Sequence, residues 1–209
     1  MSVTTGRRVG RPRAVQRPDS GLAARDELLC AAAELFTLHG YAATTTRAVA
    51  DRVGLRQATM YHYFSGKEDL LAELLESTVT PSLELARQLL GDASRSAEDR
   101  LRELCRSDVE LLCGGAYNLG ALYLLPEVRA ERFAVFHRNR AELKAAYGEL
   151  LAGTEACAGL GADVLALRTD LVFGLIEGVI LIHRSAPGRD VAAFAAATAD
   201  AALRIAGAR

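Results

Sequence analysis

The chain has 209 residues, half of them hydrophobic and 24% charged, which is the composition of a globular protein able to bury a sizeable core. Its net charge of −1 hides a split: residues 1–67 carry 10 Lys/Arg against 5 Asp/Glu, whereas residues 68–209 carry 15 against 21. A basic front on an acidic body directs the front alone at a polyanion.

Only 5 prolines and 6% aromatics, with no alternating apolar run closed by turn dipeptides, exclude strands and predict an all-α chain. The four cysteines, Cys30, Cys105, Cys113 and Cys157, form no CxxC pair. The N-terminus has no apolar signal-peptide region. The longest apolar run, Leu171 to Ile182, is broken by Glu177 and is too short for a bilayer. The expectation is a cytoplasmic chain with reduced thiols and no membrane partner.

In chain order, residues 1–20 place Arg7, Arg8, Arg11, Arg13 and Arg17 among Gly, Pro and Thr. This reads as a disordered basic arm, of the kind that can lie in a narrow minor groove. A first helix is predicted from Asp19 or Ser20 to Gly40, with Leu22, Leu28, Leu29, Ala32, Leu35 and Phe36 on its apolar stripe. Cys30 and His39 on this helix are structural, because neither has a second Cys or His one turn away.

Residues 45–67, TTRAVADRVGLRQATMYHYFSGK, predict two short helices around a turn and the start of a third helix. Thr45 and Thr46 cap the first, and Gly54 stops it. The second helix lies near Arg56 to Tyr63, and Ser65 with Glu68 has capping-box spacing. A fourth helix is predicted over 66–90, kinked or split at Pro81. Helices over 95–113, 116–125, 127–150, 163–184 and 190–206 follow, with a loop at 153–161.

The segment 163–184 is apolar on nearly all sides and requires burial all round. Together with the Ala-rich last helix it predicts an isologous dimer interface, made by Leu171, Gly174, Leu175, Gly178, Ile182, Ala195, Ala199 and Ala202.

The helix-turn-helix residues have roles that follow from their chemistry. Thr45 and Thr46 sit at a helix N-terminus, where hydroxyls and backbone N–H groups hold a phosphate. Arg47 reaches a base edge or a phosphate. Arg56, Gln57, Ala58 and Thr59 open the recognition helix. Gln57 is able to read adenine, and Ala58 or Thr59 a thymine methyl. Tyr61, His62 and Tyr63 follow, with the two tyrosines as phosphate clamps.

The block from Leu28 to Leu71 closely resembles the TetR family of bacterial transcriptional regulators. The resemblance is carried by AAELFTLHGY, the paired threonines, VADRVGL, TMYHYF and KEDLL. It implies a homodimer whose recognition helices enter successive major grooves of a palindromic operator. It also implies that Lys67 meets the flanking phosphate and that a small molecule in the C-terminal domain moves helix 4 and releases DNA. The expected architecture is an N-terminal three-helix helix-turn-helix DNA-binding domain (21–67) and a C-terminal helical ligand-binding and dimerisation domain (68–209), with about nine helices in all.

For the effector, the predicted lining is Leu104, Asp108, Leu112, Tyr117, Asn118, Leu122, Phe133, Phe136, His137 and Phe173, an apolar set with a few polar anchors. No catalytic motif, cofactor site or metal site is expected. Cys105 and Cys113 lie about 12 Å apart along one helix, too far to share an ion. Cys105, flanked by Arg102 and Arg106, is the one thiol with a basic setting suited to redox sensing. The alternative to a ligand-released repressor is a constitutive architectural DNA binder or an activator without a small-molecule inducer.

Overall fold

The computed structural model describes residues 23–207. The basic arm predicted over 1–20 and the predicted start of the first helix lie outside the described residues. Among the described residues the structure has nine α-helices and no strand: α1 (Ala24–Leu38), α2 (Thr46–Arg52), α3 (Gln57–Met60), α4 (Lys67–Ser77), α5 (Thr80–Gly91), α6 (Ala97–Cys113), α7 (Ala134–Ala152), α8 (Ala162–Ser185) and α9 (Val191–Ala206). Short 3₁₀ turns occupy 119–124, 126–129, 131–133 and 155–157.

The front is specified by local chemistry. Leu28, Ala32 and Phe36 on α1 are buried against α2 and α4, and Phe36 meets Tyr41 edge-to-face at 5.0 Å. The Thr45 hydroxyl accepts from Ala48 N–H at 3.1 Å and caps α2. At the other end Gly54, at φ +67°, donates to Asp51 O at 3.1 Å, while Leu55 donates to Ala50 O at 2.9 Å. These two bonds form a Schellman closure, and its positive φ is what a glycine supplies.

Several boundaries differ from the sequence reading. The predicted fourth helix is two helices. Pro81 is the second residue of α5, where it has no N–H to extend the α4 ladder. The break falls at Thr78–Val79, whose N–H groups turn back to Leu75 O and Glu76 O. Ser65 closes onto Asp69 through its N–H (2.8 Å) and hydroxyl, and does not pair with Glu68 in the predicted capping box. The N-cap is Gly66, which puts Ser65 one residue too early for that box. The predicted helices 116–125 and 127–150 give way to 3₁₀ turns up to Phe133, because Pro126 interrupts the ladder and α7 begins only at Ala134.

In the C-terminal bundle α6 lies along α9, and α5, α7 and α8 close around it. Ala195, Ala199 and Ala202 are buried within the chain, on the α9 face that packs here. They are therefore not the subunit-interface residues that the sequence predicted. Nor is α8 buried all round: Val164, Leu167, Leu171, Leu181 and Ile182 are exposed, Leu167 to 59%. The apolar core itself runs without a break from α1 to α9.

Candidate nucleic-acid interface and interior cavities

The α2–α3 pair presents its polar side chains outward. Arg47, Arg56, Ala58, His62, Tyr61 and Tyr63 are exposed, and Met60 and Phe64 are buried beneath them. The recognition helix is short, Gln57–Met60, and ends in turns that carry Tyr61 to Tyr63. Arg47 has only a loose contact to Asp51, at 3.6 Å, with both side chains largely exposed. Thr59 is half-buried at the same end.

Three residues with separate predicted roles form one cluster. Gln57 Nε2 donates to Thr46 Oγ1 at 2.8 Å and to Tyr61 OH at 3.3 Å, and the two hydroxyls are 3.3 Å apart. Bidentate reading of adenine by Gln57 needs that amide, so it must replace the bond to Thr46. Lys67 is also engaged: its ammonium donates to Tyr41 O at 2.9 Å and Thr44 O at 3.3 Å and lies 4.2 Å from the Tyr41 ring centroid. Burial and the nearby Glu68 push the Tyr41 phenol up to about 12. Lys67 thus fixes the turn between α1 and α2, and one of its three N–H donors remains for a phosphate.

Behind this face a cavity of about 400 Å³ opens between the 119–124 turn, α7 and α8. Tyr123, Phe136, His137, Arg140, Glu177 and Ile180 are among its lining residues. Arg140 forms a two-pronged ion pair with Glu177 and stacks over Phe173. The His137 ring donates through Nε2–H to Val128 O at 2.7 Å. Gly120 is required here, because a Cβ would lie 2.5 Å from Ile180 Cγ1.

Tyr123 OH and Thr78 Oγ1 are 2.6 Å apart, which ties the cavity wall to the break between α4 and α5. Deeper in, Asp108 accepts from Ser82 Oγ at 2.7 Å and from Tyr147 OH at 2.9 Å. It has no cation partner among the described residues, and burial raises its carboxyl to about 6.

The predicted effector residues are therefore dispersed. Phe136 and His137 line the 400 Å³ cavity. Asp108, Leu112 and Phe173 line a pit beside it of about 10 Å³, room for no more than a water. Tyr117 lines a different cavity. Leu104, Leu122 and Phe133 are core, and Asn118 Nδ2 donates to Ile180 O at 3.1 Å. Cys105 is fully buried, and burial pushes its thiol up. Arg102 pairs with Asp200, and Arg106 with Glu103 and Glu110. Cys105 is therefore unsuited to the redox sensing expected of it, since a buried neutral thiol is a poor nucleophile.

Residues 28–74 match the family described as bacterial regulatory proteins, tetR family. The crystal structure of Mycobacterium smegmatis AmtR is 46% identical, with a TM-score of 0.82 over 93% of this chain and 91% of that one. The chain belongs to the TetR family of bacterial regulatory proteins. It is a DNA-binding transcriptional regulator.

The transcriptional repressor KstR2 of Mycolicibacterium smegmatis is 35% identical over 81 residues, which is 39% of this chain and 40% of that repressor. The TetR-family regulator PfmR of Thermus thermophilus shares the fold, with a TM-score of 0.72 and 24% identity over 88% of this chain and 97% of that one. As in the sequence reading, this TetR-family chain is all-α, and its likeness to AmtR extends through the C-terminal bundle. No helix among the described residues is long and apolar enough to cross a membrane.

The sequence reading missed Arg140, Glu177 and Tyr123 as cavity residues. Glu177 carried a signal: it is the one charge inside the apolar run Leu171–Ile182. A charge on a helix that packs into a core demands a partner.

Proposed function

We propose that this TetR-family regulator is a homodimeric repressor of a palindromic operator, released when a small, largely apolar molecule enters the 400 Å³ cavity. The observation that carries the reading is the Tyr123–Thr78 hydrogen bond. It makes the cavity wall and the end of α4 mechanically one, and α4 in turn holds the DNA-facing turn through Lys67.

A ligand that displaces Tyr123 shifts the α4–α5 break, and with it the spacing of two recognition helices. Release follows only from a difference in ligand affinity between the two arrangements. We assign residues 21–67 to DNA binding and 68–209 to effector binding and dimerisation.

The exposed α8 stripe of Val164, Leu167, Leu171, Leu181 and Ile182 supports the dimer. Gly174 and Gly178 lie on the same helix, with open space where a Cβ would sit. Large exposed apolar stripes on a folded chain favour a partner, and an isologous pairing covers both copies at once. Arg47, Arg56, Gln57, Ala58 and Thr59 are the base-reading set. Thr45, Thr46, Tyr61, His62, Tyr63 and Lys67 hold phosphates.

Fluorescence anisotropy on a palindrome from the DNA beside the gene tests this, against a random duplex and across a salt series. We expect steep salt dependence and a clear preference for the palindrome. Arg47→Ala or Gln57→Ala should reduce that preference by about 1–3 kcal/mol each. Lys67→Ala should weaken binding to both duplexes alike. Equal affinity for both duplexes in the unmodified protein would favour the architectural DNA binder and sink the repressor reading.

A further inference from the structure

A second cavity, of about 420 Å³, lies at the seam between the front and the bundle, walled by α1, α4 and residues 115–119. The proposed effector cycle does not use it. Leu29, Ala33, Leu74 and Leu119 make its apolar wall, and the charged groups on that wall are Asp26 and Glu73. No Lys, Arg or His among the described residues lines it. Glu73 is already paired with Arg25, whereas Asp26 has no ion-pair partner among the described residues.

With Glu73 answered by Arg25, Asp26 is the one unanswered charge on the wall, and an apolar hollow with a single free carboxylate is complementary to an apolar body with a single positive head. An anion meets repulsion from Asp26, and the Arg25 guanidinium nearby is already engaged by Glu73. A neutral molecule leaves Asp26 to water. The place also has consequences for the fold. Desolvation, and then the adjacent Glu34 carboxylate, raise the pKa of the Tyr117 phenol on the wall. Glu34 in turn holds Arg52, at the end of α2, at 2.9 Å.

We propose that this seam cavity is a second small-molecule site, for an amphipathic organic cation, with Asp26 holding the cationic head. It stands independently of the effector cavity, from which it shares no lining residue.

The wall supplies its own reporter. Cys30 lines the cavity and is exposed, whereas Cys105, Cys113 and Cys157 are buried. The full chain, without DNA, is alkylated with N-ethylmaleimide at about pH 6.5, where an aliphatic amine stays protonated and does not consume the reagent. The probes are 4-phenylbutylamine, neutral 4-phenylbutanol and anionic 4-phenylbutyrate, and Cys30 modification is followed by peptide mass mapping. We expect saturable protection by the amine, about fivefold weaker protection by the alcohol, and none by the acid, the ratio expected for one partly exposed ion pair. Asp26→Asn, a surface substitution, should bring the amine down to the level of the alcohol.

No protection by millimolar amine overturns the site, and so does equal protection by all three probes. If removal of residues 1–20 by itself speeds Cys30 labelling to the limit seen with free thiol, the cavity belongs to the chain's own N-terminal segment. That result also overturns the proposal.

Discussion

The front of the molecule and its C-terminal bundle handle polar side chains in opposite ways. Around α2 and α3 the polar groups stand in solvent: Arg47, Arg56 and His62 are exposed, and the cluster of Thr46, Gln57 and Tyr61 sits at the surface. In the bundle the polar groups are answered by built-in partners: Asp108 is buried and accepts from Ser82 and Tyr147, and the half-buried Arg140 is locked onto Glu177. The difference follows from the partner. A DNA backbone is met by groups already in water, at small desolvation cost. A small molecule must be met inside, where every polar group is desolvated and its partners must be built in.

If the two regions nevertheless form one folding unit, the largest effects should come from their shared core. Met60 in the front and Leu104 in the bundle are both fully buried and belong to one continuous cluster. Truncation of either to Ala should cost about 2–5 kcal/mol. In guanidinium unfolding followed by circular dichroism, each variant should shift one common transition. A Met60→Ala protein that melted in two separate steps would show the front to be an independent unit.

The next effect separates the regions, because it arises only where a carboxylate is enclosed. Asp108 has its carboxyl raised from 3.8 to about 6, first by burial. Between those values the native state holds a proton that the unfolded chain has lost. The contribution of Asp108 is therefore most favourable below about pH 4, declines as pH rises to about 6, and stays flat beyond. Asp108→Asn keeps an acceptor for Ser82 or Tyr147 and carries no charge. It should be more stable than the parent by up to about 3 kcal/mol at pH 7, from the size of the shift, with the advantage gone near pH 4. Parallel unfolding curves from pH 4 to 8 measure this, and a pH-independent difference would show that Asp108 does not titrate as assigned.

The same contrast governs what could be read from the residues alone. Thr45, Gly54 and the exposed recognition residues are legible because their roles depend on neighbours within a few positions. In the bundle the decisive pairings join distant residues. Asp108 is 39 residues from Tyr147, Arg140 is 37 from Glu177, and Thr78 is 45 from Tyr123. No periodicity encodes such distances. Apolar content alone likewise did not determine which side of α9 faces inward, since alanines lie on every side of that helix and α6 decides the matter. The stops were misplaced where a proline acts through geometry, at Pro81 and Pro126, because a proline's cost depends on the ladder it interrupts.

The smallest effect bears most closely on the comparison, because it puts the same local device in both regions. Thr45 caps α2 through one bond to Ala48 N–H, and Asp190 caps α9 through Ala192 and Ala193 N–H at 3.0 and 3.2 Å. Replacement of either by Ala should cost about 1 kcal/mol, somewhat more for Asp190 because its charge also meets the helix dipole. Stability therefore does not distinguish them, but DNA binding should. Thr45→Ala disorders the N–H groups that would face a phosphate, so it should weaken operator binding beyond what the lost stability explains, and Thr45→Ser should restore it. Asp190→Ala, on a helix outside the DNA-facing pair, should leave DNA affinity unchanged once unfolded protein is discounted. Equal losses of DNA affinity in the two Ala variants would mean that the cap of α2 serves the fold alone and that the front's exposed polarity is not what holds the phosphate.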